Sequence, residues 1–141
     1  MKKVFIVGGT SGFGLSLAKK FNLDHEVTVC GRKKYPIFNG VACDMLNISE
    51  NIFQEHNPDI VINNAFDKKD YIKSYQGSLN VLKSALSFFK LKGSGTIINV
   101  NSICGISPDP KDPDYAAAKY ALRGYSDSIA AEAFQKNIKI I

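Results

Sequence analysis

The sequence predicts an α/β fold in which a doubly wound parallel sheet carries helices on both faces. Short β-branched or aromatic runs alternate with longer stretches of helical period, as in parallel sheets covered on both sides. A glycine-rich turn, Gly8-Gly9-Thr10-Ser11-Gly12-Phe13-Gly14, follows the first apolar run and precedes Leu15, Leu17 and Ala18. Two long segments, one on each side of the last internal apolar run, repeat apolar residues every three or four positions.

The elements follow in order. Strands are expected at about 3–7, 26–30, 40–43, 59–63 and 96–101, where β-branched and aromatic residues cluster between turn residues. Between Tyr71 and Phe89 the positions Ile72, Tyr75, Leu79, Leu82, Leu86 and Phe89 form one helical stripe, expected to be its buried face. A second helix is expected after Asp112-Pro113, an N-cap and a first-turn proline, with Tyr115, Ala118, Leu122, Tyr125, Ile129 and Ala133 in register. Asn137-Ile138-Lys139-Ile140-Ile141 reads as the start of a further strand.

Composition narrows the class. The 141 residues suit a single domain, 45% hydrophobic and 22% charged, too apolar for a disordered chain. The net charge of +5 is scattered apart from Arg32-Lys33-Lys34, which argues against a nucleic-acid surface. Cys30, Cys43 and Cys104 have no zinc-binding spacing, so no metal is expected, and their odd number argues against a closed disulfide framework. No apolar run is long enough to span a membrane, and a reducing cytoplasmic setting is expected.

The glycine turn points to a nucleotide. In a strand, turn, helix unit the first helical N–H groups and the positive helix end face an anion, and glycines let a pyrophosphate approach. Here the glycines fall at 8, 12 and 14, a spacing different from the generic Gly-x-Gly-x-x-Gly. Gly8, Thr10, Ser11, Gly12, Phe13 and Gly14 are therefore candidate cofactor-binding residues. After the second strand, where an acid would meet the ribose hydroxyls of NAD, stand Arg32 and Lys33, cations that suit the 2′-phosphate of NADP. Asp44 either accepts from an adenine amino group or is a turn residue or helix cap. Asn63, Asn64 and Ala65 end the fourth strand, at the edge where such sheets bind ligands, as ribose contacts or as a strand-ending turn.

Tyr115 and Lys119 share one side of a helix, and Ser102 lies thirteen residues before the tyrosine. A free phenol has a pKa of about 10, and lowering it by about three units takes roughly 4 kcal/mol of differential stabilisation, which a nearby ammonium in a partly dry site can help supply. The trio can polarise a carbonyl and deliver a proton.

Taken in order, Gly8-x3-Gly12-x-Gly14, Asp44, Asn63-Asn64-Ala65, Ser102 and Tyr115-x3-Lys119 resemble the short-chain dehydrogenase/reductase family in its standard single-domain form. Leu15 stands where the extended branch of that family would have its third glycine. The resemblance implies one NAD(P)-binding Rossmann-type domain over residues 1–141, and Arg32 and Lys33 point to NADP(H) more readily than NAD(H). It implies hydride exchange between a small carbonyl compound and its alcohol. Tyr115 would be the general acid/base, Ser102 the carbonyl anchor, and Lys119 the partner of the tyrosine and of the nicotinamide ribose. It further implies a homodimer or homotetramer formed through the two long helices, with neither nucleic acid nor membrane as partner.

Three departures accompany the resemblance. The asparagine that family members carry in the middle helix would fall near Ser74 or Tyr75, and the nearest one here is Asn80. Phe66 replaces the usual glycine after Asn-Asn-Ala. Family members also continue through a further strand, a proline-glycine turn, a substrate-covering segment and a final strand, so the chain reads as C-terminally incomplete. The alternative function is a cofactor-binding regulatory protein, or an inactive remnant, without turnover.

Overall fold

A computed structural model describes all residues, 1–141. The strands are β1 (Lys3–Val7), β2 (Glu26–Gly31), β3 (Val41–Ala42), β4 (Ile60–Asn63), β5 (Gly95–Asn99) and β6 (Ile138–Ile140); the helices are α1 (Gly12–Phe21), α2 (Glu50–His56), α3 (Tyr71–Lys92) and α4 (Pro113–Gln135). All six strands run parallel in the order β3-β2-β1-β4-β5-β6. The chain reverses its direction of travel across the sheet between β1 and β4. Such a switch point opens a crevice at the carboxyl ends of the strands.

Strand alternation separates two cores. Phe5 and Val7 face α2, α3 and α4, where they join Phe53, Val61, Leu82, Phe89, Ile97, Leu122 and Ile138. Val4 and Ile6 face α1 with Ala18, Val27, Val29 and Ile62. Phe5 is fully buried and meets Phe53 edge to face at 5.3 Å. Removing such a side chain costs about 3–5 kcal/mol.

The two long helices are capped as their ends require. Asp70 accepts from Lys73 N–H at α3, and Gly93 closes that helix at φ +85°. Asp112 caps α4 by accepting from the Tyr115 N–H at 3.2 Å, with Pro113 in the first turn.

The apolar stripe expected on α3 is displaced. Ile72 is 73% exposed, Tyr75, Leu79 and Leu86 are only half-buried, and the buried face is Ser74, Gly77, Ser78, Val81, Leu82, Ala85, Phe88 and Phe89. The first two turns pack on loop backbone instead of the apolar sheet, Ser74 bonding Asp67 and Ser78 reaching Ala65 O, so their inner positions are small and polar. A Cβ at Gly77 would stand 2.4 Å from Met45 Cγ. The short helix α2 escapes periodicity because its seven residues bury one side chain, Phe53. The fold brings two of the three cysteines side by side: Cys30 on β2 and Cys43 after β3 have Cα atoms 5.8 Å apart, within disulfide reach, and Cys104 stands alone. The parallel register of β2 and β3 brings these two positions together although thirteen residues separate them.

A polar clamp ties the other end of the sheet to α3. Asp59 accepts from the Lys3 N–H and from Lys92 Nζ, both at 2.9 Å, and these bonds hold its carboxyl below its ordinary value of 3.8. A carboxylate whose folded pKa lies below its unfolded one contributes stability above the unfolded value and loses it as pH falls through the folded one. Asp59→Asn should therefore lower the thermal midpoint at neutral pH. The gap between variant and wild type, followed by circular dichroism melts, should shrink steadily below about pH 4.

Candidate active site

The glycine turn is built around close backbone approaches. A Cβ at Gly14 would stand 2.1 Å from the Gly8 carbonyl oxygen, and one at Gly8, whose φ is +79°, would stand 2.7 Å from Ala65 Cα. Asn64 Nδ2 donates to the Gly8 carbonyl at 3.0 Å. The N–H groups of Gly8 and Gly9 both donate to Cys30 O. Gly12 differs from its neighbours: φ is +52° and nothing lies within 4 Å of where its Cβ would be. Ser11, the N-cap of α1, makes no side-chain cap bond, so its hydroxyl leaves the first-turn amides uncapped. Thr10 packs on Gly31, and Phe13 is 61% exposed. Uncapped amides at a helix N-terminus are the groups that would hold the pyrophosphate of a dinucleotide.

Beyond β2, Arg32 and Lys33 are exposed and form no ion pair. Asp44 is a turn residue, its Oδ1 accepting from the Leu46 N–H at 2.9 Å. Asn63 turns inward: its Nδ2 donates to Ser78 O at 2.8 Å and to Asn99 Oδ1 at 2.9 Å. Asn99 continues the chain to Ser126 Oγ at 3.1 Å, and Ser126 donates to Leu122 O. This ladder crosses from α3 through β4 and β5 to α4. Asn63 and Asn64 thus act on the scaffold and the glycine turn, and Ala65 forms the wall against which Gly8 closes.

Ser102 lies just past the carboxyl end of β5, next to the segment to which Lys119 of α4 is bonded through Val100 and Asn101. Lys119 Nζ lies 5.9 Å from the Tyr115 ring centroid, on the same side of α4. Lys119 is 8% exposed, and burial pulls its ammonium below the ordinary value of 10.5. It donates one hydrogen bond, to Val100 O at 3.2 Å, which leaves two N–H donors. Ser102 Oγ accepts from the Cys104 N–H at 3.2 Å, so its own O–H is free to donate. Asn101 holds that segment to α4, accepting from the Ser102 N–H and donating to Lys119 O.

Two aromatic residues complete the surroundings. Tyr71 donates from its hydroxyl to Asp112 Oδ2 at 2.6 Å, and that carboxylate raises the Tyr71 phenol above its ordinary value of 10.0. Asp112 therefore joins the start of α3 to the backbone of Tyr115. Phe66 sits between the pieces: its ring centroid is 4.7 Å from Lys119 Nζ, 5.2 Å from the Tyr115 ring and 5.9 Å from the Tyr71 ring. A small cavity behind Lys119 is lined by Phe66, Ser74, Tyr75, Ser78, Ala118 and Leu122. Ser74 lines it but is spent on Asp67, whose N–H and carbonyl it engages at 2.7 and 2.8 Å. Asn80 is held elsewhere, on the carbonyls of Met45 and Ile48.

Sequence reasoning passed over Asn99, Asn101, Ser126 and the Tyr71–Asp112 bond. Asn101 adjoins Ser102 and Tyr71 opens the long helix, but their partners lie far along the chain and only the fold brings them close.

A model of the short chain dehydrogenase family matches residues 59–141, more than half of the sequence, and the chain belongs to that family. It is 26% identical over 163 aligned residues to the 3-ketodihydrosphingosine reductase of Bacteroides thetaiotaomicron, covering 97% of this chain and 60% of that protein. To the 3-oxoacyl-acyl-carrier-protein reductase of Chlamydia trachomatis it is 27% identical, covering 99% and 71%. The structure of ElxO with NADP bound superposes with a TM-score of 0.82 at 25% identity, covering 99% of this chain and 71% of that one. No helix is long and apolar enough to cross a membrane.

Proposed function

We propose that the chain binds NADP(H) along the carboxyl edge of the sheet and serves as an oxidoreductase interconverting a small carbonyl compound and its alcohol. The observation that carries this reading is the buried Lys119 ammonium beside Tyr115, with a donor-ready Ser102 near the same strand end. Membership in the family and the NADP reported for ElxO support it.

The bound reduced nicotinamide would supply hydride to the carbonyl carbon. Ser102 donates its hydroxyl hydrogen to the carbonyl oxygen and fixes its position, the lone pair on its other side being held by Cys104 N–H. Tyr115 donates the proton that completes the alcohol. Lys119 stabilises the phenolate left behind and offers its two remaining donors to ribose hydroxyls. Burial strengthens this electrostatic help, because a desolvated cation acts through a lower effective dielectric than one in water.

At the other end, Arg32 and Lys33 hold the 2′-phosphate. Both are free of carboxylate partners, so no ion pair has to break first. The outer sides of α3 and α4, with Ile72, Leu91, Tyr120 and Phe134 exposed, are the surfaces for pairing with a second copy. The aromatic packing over Lys119 favours a second reading, a cofactor-binding protein without turnover.

Two variants separate these readings. Tyr115→Phe should abolish the carbonyl-dependent loss of NADPH absorbance, a drop of at least about a hundredfold, while NADPH still binds, weakened by no more than about tenfold through the loss of one ribose hydrogen bond. Equal rates in variant and wild type would remove Tyr115 as proton donor, and wild-type binding without oxidation by any aldehyde or ketone favours the second reading. Arg32→Asp should weaken NADPH by about tenfold or more and leave NADH nearly unchanged; an unaltered preference would dismiss Arg32 as the phosphate ligand.

A further inference from the structure

We infer that Phe66 selects what binds at the nicotinamide end: its ring competes with the nicotinamide riboside for the Lys119 ammonium and the Tyr115 face, and a dinucleotide binds only by turning the ring away. The inference rests on the reading of Tyr115 and Lys119 as the residues that hold that ribose.

A group hydrogen-bonded to both side chains must lie between them, within about 3 Å of each polar atom. The Phe66 ring stands against both side chains. The Phe66 ring is 4.7 Å from Lys119 Nζ, a cation–π distance, and meets the Tyr115 ring edge-on at 5.2 Å with planes 78° apart. Tyr71 stacks on it at 5.9 Å, 27° between planes. The ring therefore supplies a buried ammonium, hydrogen-bonded only to Val100 O, with the nearer of its two aromatic contacts. A ribose can replace that contact with hydrogen bonds, but only after the ring has left.

The backbone on either side of Phe66 is pinned. Ser78 Oγ reaches Ala65 O at 3.5 Å, Ser74 engages both backbone groups of Asp67, and Lys69 N–H donates to Asp67 Oδ1 at 2.9 Å. What gives way is a side-chain torsion, with no displacement of the loop. Phe66 is half-buried, so the ring has solvent to turn into. Arg32 follows β2 and Phe66 follows β4, with β1 between them, so a ligand carrying only the adenosine half does not meet this cost.

The test uses two ligands. NADPH and adenosine 2′,5′-bisphosphate are titrated into the wild type, Phe66→Gly and Phe66→Ala, by cofactor fluorescence and by calorimetry. Removing the ring should tighten NADPH by about tenfold and leave the bisphosphate within about twofold. NADPH affinity unchanged or weakened in folded variants, or both ligands tightened alike, overturns the inference. A wild type that binds neither ligand overturns the dinucleotide reading, and this inference with it. If neither variant folds, the wild type labelled with fluorophenylalanine decides: the resonance missing from Phe66→Leu should move on saturation with NADPH and stay in place with the bisphosphate. A resonance that NADPH leaves unmoved overturns the inference.

Discussion

The site depends on how closely the glycine turn can fold onto the sheet. With no Cβ at positions 8 and 14, the Gly8 carbonyl lies against α1 on one side and against Asn64 on the other, and α1 starts directly above the strand ends. A methyl at either position would meet backbone atoms, which cannot yield as a flexible side chain would. This packing brings the first-turn amides of α1, the end of β4 and the loop carrying Phe66 to a single edge. The positive end of α1 and the exposed Arg32 and Lys33 add positive charge at that edge.

The opposite end of the crevice is governed by a buried charge. Lys119 has given up most of its hydration for one carbonyl and two aromatic faces, and its lowered pKa records the cost. A charge left this short of partners favours any ligand that brings oxygen atoms to it. The scaffold around it is correspondingly stiff. Asp112 holds the Tyr115 backbone and the Tyr71 hydroxyl together, Asn101 ties the Ser102 segment to α4, and the Asn63–Asn99–Ser126 ladder fixes α3 and α4 to the strands between them.

Much of this was legible in the residues before the fold was known. The parallel strands, the two long helices, the Asp112-Pro113 cap and the strand beginning near Ile138 all follow from local pattern and capping chemistry. Local rules failed where the fold, and not the neighbouring residues, decides. The inner face at the start of α3 is Ser74, Gly77 and Ser78 because it packs on the loops after β3 and β4, and no apolar period marks such a face. The closeness of Cys30 and Cys43 depends on the register of two parallel strands. The scaffold roles of Asn63 and Asn64 depend on partners at Asn99 and Gly8, many residues away. Phe66 was conspicuous by its size, but its place over Lys119 is a fact of three dimensions.

The central claim is that one ligand spans this edge from the Gly12 amide to Lys119. A crystal structure of the chain with NADPH tests it most directly. The account predicts the pyrophosphate against the first turn of α1, the 2′-phosphate beside Arg32, and the nicotinamide ribose within hydrogen-bonding reach of Lys119 Nζ and the Tyr115 hydroxyl. A dinucleotide bound elsewhere, or one whose nicotinamide half lies away from both side chains, would contradict it.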